Sequence, residues 1–108
     1  MRAEQLKGHL DGLLLAVLEA GSLHGYAIIE ALRARSDGAF DLPSGTVYPA
    51  LRRLELAGLL EGSWSEVGGR RRRNYQLTDR GRAALAEERS IWRGFSYAVG
   101  SVLGQPAT

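Results

Sequence analysis

The sequence predicts one small, mostly α-helical domain that carries a β-hairpin. Three apolar series at helical spacing lie between residues 10 and 57, and two strand-like segments flank Gly68-Gly69. A further helical pattern runs from Thr78 to about residue 103. The chain has 108 residues, of which 44% are hydrophobic, and this composition fits a single core.

The first two predicted helices cover the N-terminal third of the chain. The first stops at Gly21, and its apolar residues recur at three- and four-residue steps: Leu10, Leu14, Val17 and Leu18. The second follows Ser22 and ends in the turn at 36–38; its apolar face contains Ala27, Ile28, Ala31 and Leu32. Residues 40–42 alternate apolar and polar side chains, which predicts a short strand that Pro43 ends.

The third predicted helix runs from about Ser44 to Ala57 and has two different faces. Ser44 is the expected N-cap, and Gly58 is the expected stop. One face is apolar and is assigned to the core: Val47, Ala50, Leu51, Leu54 and Ala57. The opposite face is polar and free: Tyr48, Arg52 and Glu55. Pro49 lies close to the helix start, where it removes at most one hydrogen bond of the helix.

Residues 59–66 and 74–77 have the composition of two strands, joined through Gly68-Gly69 and four consecutive arginines, residues 70–73. They predict a β-hairpin with a basic tip. Three helices followed by such a hairpin form the winged helix-turn-helix arrangement. In that arrangement the third helix enters the major groove of DNA, and the hairpin, or wing, contacts the flanking backbone.

The charge distribution supports the same interpretation. The whole chain has a formal charge of +2, but residues 44–82 contain eight arginines against four acidic residues. The basic residues therefore concentrate in the third helix and the hairpin. A duplex backbone attracts such a cluster, although an ordinary solvated surface has a similar composition.

Several other classes of protein are disfavoured. The chain has no cysteine, hence neither a disulfide framework nor a thiolate zinc site. His9 and His24 have no second ligand at suitable spacing, and no convergent acid, base or nucleophile set is visible, so we expect no metal, no cofactor and no enzyme activity. The longest apolar stretch, residues 13–18, is too short to span a bilayer, and no signal peptide is recognisable, so we expect a cytoplasmic protein without membrane contact.

The C-terminal helix, with Thr78 as its expected cap, carries an apolar stripe that needs a partner. Its members recur at intervals of three, four and seven residues: Leu85, Trp92, Phe95, Val99 and Val102. Because the first three helices and the hairpin form a closed unit, the stripe is expected to meet a second copy of the chain. The predicted dimer interface consists of Leu85, Trp92, Phe95 and Val99.

Five short motifs carry a resemblance to a known family. They are Leu-Lys-Gly-His-Leu-Asp at 6–11, His-Gly-Tyr at 24–26, Gly-Thr-Val-Tyr-Pro-Ala-Leu at 45–51, Leu-Glu and Ala-Gly-Leu-Leu within 54–60, and Tyr-Gln-Leu-Thr-Asp-Arg-Gly at 75–81. Together they resemble the PadR family of bacterial transcriptional regulators, in the short branch that has a single C-terminal helix. The resemblance implies a homodimeric repressor of operator DNA. The expected parts are a winged helix-turn-helix domain at 1–81, a dimerisation helix at 82–103 and a flexible tail at 104–108.

The residues expected to contact DNA lie in the two helices of the motif and in the wing: Tyr26, Ser44, Thr46, Tyr48, Arg52, Arg70, Arg71, Arg72 and Arg73. Alternatives stay open for several of them. Ser44 serves equally well as an N-cap, and Tyr26 nearly so as a core aromatic residue. Contact with DNA is favoured for Tyr48 over packing on the second helix, and pairing with Glu55 is the alternative for Arg52. In some short family members a planar drug stacks on an aromatic residue between subunits, so Trp92 and Phe95 are also candidates for an effector site.

Two other functions are compatible with parts of the sequence. A winged-helix module that binds only another protein has the same fold but needs no arginine cluster. A binder of single strands or RNA needs exposed aromatic residues on a sheet, and Trp64 and Tyr75 are the available candidates.

Overall fold

The computed structural model describes residue 6 and residues 8–104, so the predictions for Lys7 and for the tail at 105–108 lie outside the described residues. The elements are α1 (Leu10–Val17), β1 (Leu23–His24), α2 (Gly25–Arg35), α3 (Ser44–Leu56), β2 (Leu60–Val67), β3 (Arg70–Leu77) and α4 (Asp79–Leu103). The predicted mostly α-helical fold with a small hairpin is confirmed.

The sheet has three antiparallel strands in the order β1-β3-β2. β2 and β3 form the wing, in which Leu60 pairs with Leu77 at the base and Val67 with Arg70 at the end. Gly68 and Gly69 connect them with φ of 58° and 78°, the backbone of a tight hairpin turn that favours glycine. The hairpin tip is therefore these two glycines, and the prediction that the arginines belong to the connection is wrong, because all four lie in β3.

The core lies between α1, α2, α3 and the base of the wing. Its fully buried side chains are aliphatic: Leu14, Leu15, Leu18, Ile28, Val47, Leu51, Leu54 and Leu60. The apolar face predicted for α3 is confirmed except at Ala57, which is exposed beyond the last turn. The stop at Gly58 is also confirmed, since Gly58 has φ of 80° and Leu59 N donates to the Leu54 carbonyl at 3.0 Å.

Two local predictions are wrong, and one short strand was not predicted. Helix α3 is capped by Pro43, whose carbonyl accepts from Thr46 N at 3.0 Å, while Ser44 is the first helical residue and its side chain caps nothing. Residues 40–42 form no strand. A strand occurs instead at Leu23–His24, which pairs with Tyr75 and Asn74 of β3.

Helix α4 is one continuous helix of 25 residues, and Thr78 caps it by accepting from Gly81 N at 3.0 Å, as predicted. The first half packs on the rest of the chain: Leu85 is buried in the core, and Arg89 binds Glu19 through two contacts of 2.8 Å. The placement of Leu85 in a free interface is therefore wrong, because the core of its own chain already covers it. Among the described residues, no helix combines the length and apolar character that crossing a membrane requires.

Candidate nucleic-acid interface

The polar face of α3 is exposed beside the wing. Val47 and Leu51 point into the core and are fully buried, so the residues on the other side of the helix face outward. Tyr48 is 46% exposed, and Arg52 lies one turn further along. Ser44 and Thr46 are exposed in the first turn, where the backbone N–H of Thr46 donates to the Pro43 carbonyl.

Tyr48 also packs on α2, so both interpretations weighed from the sequence describe part of its environment. A Cβ atom placed on Gly25 would lie only 2.4 Å from Tyr48 Cε1. The glycine at the start of α2 thus makes room for the ring. Because Gly25 precedes Tyr26, which is 62% exposed, this packing brings the two tyrosines to the same side of the molecule.

The four arginines of β3 alternate between the two faces of the wing. Arg71 and Arg73 share a face with Trp64, which lies directly opposite Arg73, whereas Arg70 and Arg72 point to the other face. The guanidinium carbon of Arg71 lies 4.4 Å from the centroid of the Trp64 ring, and that of Arg73 lies at 5.1 Å. The Trp64 ring is therefore engaged by cations, although much of it remains exposed.

A concavity with a volume of about 550 Å³ lies between α3, the start of α2 and β3. We call it the basic concavity. Its lining residues are His24, Gly25, Tyr26, Tyr48, Arg52, Arg70, Arg71, Arg72, Arg73 and Tyr75. The structure thus brings together seven of the nine predicted DNA contacts, while Ser44 and Thr46 lie outside this lining. Gly25, His24 and Tyr75 were not among the predicted site residues.

Arg73 makes an ion pair at the edge of the basic concavity. Its Nη2 donates to Glu55 Oε2 of α3, and this pair is the least exposed among the ion pairs of the described residues, with side chains 29% and 20% exposed. Burial, and then the Glu55 carboxylate, raises the pKa of the neighbouring Tyr75 hydroxyl. Glu55 therefore binds the wing, and the alternative pairing of Arg52 with Glu55 is not observed.

Arg52 and Arg53 are adjacent in sequence but have different surroundings. Arg53 turns away from the basic concavity and binds Asp11 of α1 through contacts of 2.7 and 2.8 Å. Arg52 lines the basic concavity and forms no ion pair with another described residue. Sequence patterns give no access to this difference, because Asp11 is 42 positions away.

The second half of α4 carries exposed aromatic residues. Trp92 is 54% exposed and Phe95 is 56% exposed, with their ring centroids 6.1 Å apart. The His9 and Trp92 rings pack nearly perpendicular to each other at a centroid distance of 5.6 Å. Val99 lies further along the same stripe and is 36% exposed.

Three helices, a three-stranded sheet and an arginine-lined concavity beside the third helix define a winged-helix protein. Residues 14–87 match the model of the transcriptional regulator PadR-like family, which covers well over half of the chain. The chain therefore belongs to this family, as its motifs indicate.

Individual relatives agree with this assignment. Transcriptional regulator Rv3488 of Mycobacterium tuberculosis is 43% identical over 67 residues, which are 62% of this chain and 60% of that protein. The crystal structure of a PadR family regulator from Eggerthella lenta superposes with a TM-score of 0.80 at 32% identity, covering 95% of this chain and 88% of that one. Bacillus subtilis PadR in complex with operator DNA gives a TM-score of 0.68 at 25% identity, covering 73% of this chain and 45% of the other.

Proposed function

We propose that the chain is a homodimeric repressor that binds double-stranded operator DNA through α3 and the wing. The observation that carries this proposal is the basic concavity, which gathers five arginines and two exposed tyrosines beside a helix with a free polar face. Clustered arginines bind phosphates and release counterions, and an exposed helix fits the major groove. That Bacillus subtilis PadR was crystallised with operator DNA supports a duplex as the partner.

We assign different contacts to different parts of the surface. Arg52 reaches base edges, since it lies on the exposed face of α3 and pairs with no carboxylate of the described residues. Seven of the other predicted DNA contacts are assigned to the phosphate backbone: Tyr26, Ser44, Thr46, Tyr48, Arg70, Arg71 and Arg72. Arg73 differs from them because Glu55 already engages its guanidinium.

The proposed dimer uses the exposed half of α4, with Trp92, Phe95 and Val99 in the seam. Apolar side chains that are half exposed along one stripe favour burial against a second copy. Because the first two turns of α4 contribute to the core, we place the boundary between the DNA-binding unit and the dimerisation segment inside α4, beyond Leu85. Two copies related by a twofold axis would read two half-sites about 34–36 Å apart, one turn of DNA.

The same seam is the proposed site of a planar hydrophobic effector that releases the repressor. Its support is the pair of neighbouring aromatic rings, Trp92 and Phe95, on a free surface. Intrinsic fluorescence tests it: in a Trp64→Phe protein, Trp92 is the remaining tryptophan. Planar aromatic compounds are expected to quench its emission and dissociate the operator complex. If no compound in a broad panel does either, Trp92 belongs to the dimer seam alone.

The test of DNA binding compares two adjacent arginines. Duplexes are selected from a random library with the unmodified protein, and affinity is measured by fluorescence anisotropy against a scrambled duplex. Arg52→Gln is expected to weaken operator binding by about tenfold or more, the cost of one lost base contact, and to relax specificity. Arg53→Gln makes the same change in charge but is expected to change affinity by less than about twofold, since Asp11 holds it away from the basic concavity.

Two results would reject the proposal. Equal affinity of the unmodified protein for selected and scrambled duplexes at physiological salt indicates that it does not read sequence. Equal effects of Arg52→Gln and Arg53→Gln indicate that only net charge matters and that α3 is not the reading element. The first result makes a winged-helix module for protein partners the better explanation, and the second leaves a DNA contact that depends on charge alone.

A further inference from the structure

The wing is attached to α3 by one ion pair far from the hairpin base. At the base, Leu60 and Leu77 are buried in the core, but four positions further along β3 the strand has left the core. There Arg73 binds Glu55, which lies on the last turns of α3. Strand β1 pairs with β3 as far as Asn74, and beyond that pairing the wing is a two-stranded hairpin with little to fix its angle. The contact between Arg73 and Glu55 lies where this part begins and joins it to α3.

The surroundings of Arg73 hold its guanidinium in this position. Trp64 lies opposite it across the ladder, with its ring centroid 5.1 Å from the guanidinium carbon. Gly62 leaves the space that the guanidinium occupies, since a Cβ atom there would lie 2.6 Å from Arg73 Nη2. The Glu55 carboxylate, the Trp64 ring and the absence of a side chain at Gly62 thus favour the same position of the Arg73 guanidinium. The three other arginines of β3 have no carboxylate partner among the described residues.

We propose that Arg73 is a positioning residue, which fixes the wing relative to α3 through Glu55 and leaves the phosphate contacts of the wing to Arg70, Arg71 and Arg72. The inference rests on the proposed function, because positioning matters only if α3 and the wing bind one duplex together. It gives Glu55 a role that its charge alone does not suggest. A carboxylate beside a DNA-binding surface repels phosphate, yet here it is required.

Whether Glu55→Gln raises or lowers the affinity for DNA tests this proposal. If Glu55 acts only through its charge, removing the carboxylate strengthens DNA binding. If it positions the wing, affinity for the selected duplex falls, by about tenfold for the loss of a contact between directly coupled side chains. Asp11→Asn is the matched control: it makes the same change in charge and breaks the other ion pair of α3, on the α1 side, without touching the wing.

A second variant removes the contact without changing any charge. Gly62→Ala places a methyl group where the Arg73 guanidinium lies and is expected to weaken binding as Glu55→Gln does. Ser63→Ala, on the opposite face of β2, is its control. The slope of log affinity against log salt separates positioning from phosphate contact. Arg73→Gln is expected to leave the slope unchanged, whereas Arg72→Gln is expected to reduce it by about 0.9 for one lost phosphate.

Hydrogen exchange of the free protein provides a readout that does not depend on DNA. Amides of the outer half of the wing are expected to exchange faster in Glu55→Gln and Gly62→Ala, and at the original rate in Asp11→Asn and Ser63→Ala. Exchanging the two charges, Glu55→Arg with Arg73→Glu, is expected to restore slow exchange. Thermal unfolding of each variant ensures that folded proteins are compared.

Three results would overturn the inference: tighter DNA binding by Glu55→Gln, a reduced salt slope in Arg73→Gln, or unchanged wing exchange in both Glu55→Gln and Gly62→Ala. Failure of the proposed function looks different. The unmodified protein would then fail to discriminate duplexes, while the exchange measurements would still report whether Arg73 and Glu55 hold the wing.

Discussion

Tyr48 packs its ring on α2 and also lines the basic concavity, so the contributions of its ring and of its hydroxyl can be tested separately. The ring fills the space above Gly25, so Tyr48→Phe keeps the packing and removes only the hydroxyl. We expect native stability, within about 0.5 kcal/mol of the unmodified protein, and operator binding weakened by about 0.5–1.5 kcal/mol for one hydrogen bond. Chemical denaturation and anisotropy measure the two quantities.

The control for this prediction is Leu51, which is fully buried on the opposite face of α3. Leu51→Ala should lower the free energy of unfolding by about 2–5 kcal/mol through the cavity it leaves. If Tyr48→Phe binds DNA normally while Tyr48→Ala unfolds easily, Tyr48 is a packing residue and its hydroxyl makes no contact with the duplex.

Among the elements, Thr78 forms the joint between the wing and α4. Its Oγ1 donates to the Gly58 carbonyl at 2.7 Å and accepts from Gly81 N at 3.0 Å, so it connects the end of α3 with the start of α4. Thr78→Ala is expected to lower the free energy of unfolding by about 1–2 kcal/mol, the usual range for a lost N-cap. Thr78→Ser keeps both hydrogen bonds and should retain most of the stability. Equal losses in the two variants would show that the methyl group, not the cap, stabilises this joint.

Elements with a periodic apolar face could be predicted from the sequence, and those that depend on distant partners could not. The face of α3 was recoverable because Val47, Leu51 and Leu54 repeat at helical spacing. The strand at Leu23–His24 has only two residues and exists because Tyr75 and Asn74 lie beside it. Residues 40–42 have a strand-like alternation but no neighbouring strand to pair with, and so they remain irregular.

The candidate site was predictable in the same partial way. Residue types and motifs identified Tyr26, Tyr48 and the arginines, which the structure gathers around one concavity. Two features came from tertiary contacts alone: Arg53 is bound by Asp11, and Arg73 by Glu55. Neither acidic partner is marked by any local pattern, because such pairing depends on how the helices and strands pack.

For the whole molecule, the prediction concerns the exposed half of α4. A chain ending after Ser90 keeps Leu85 in the core and the Arg89 contact with Glu19, so the DNA-binding unit should remain folded. It is expected to be monomeric by light scattering. Affinity for a duplex with two half-sites should fall by about 10²–10⁴, since the second half-site no longer contributes.

A duplex with a single half-site is the control for this truncation, because full-length and shortened chains should bind it alike. A shortened chain that stays dimeric would place the interface outside residues 91–103. The proposed effector site, which lies in the same seam, would then also lie elsewhere.

The rigid joint at Thr78 has a mechanical consequence for a dimer built on α4. Helix α4 runs for about 24 Å from its start at Asp79 to the proposed seam residue Phe95, and the Thr78 cap, Leu85 in the core and the Arg89 contact with Glu19 hold this part to the DNA-binding unit. A change of about 5° in the angle at which two such helices cross at the seam displaces the start of α4 by about 2 Å, a distance larger than the tolerance of a hydrogen bond. The two DNA-binding units of a dimer can therefore lose their register on the two half-sites although neither unit changes its internal structure.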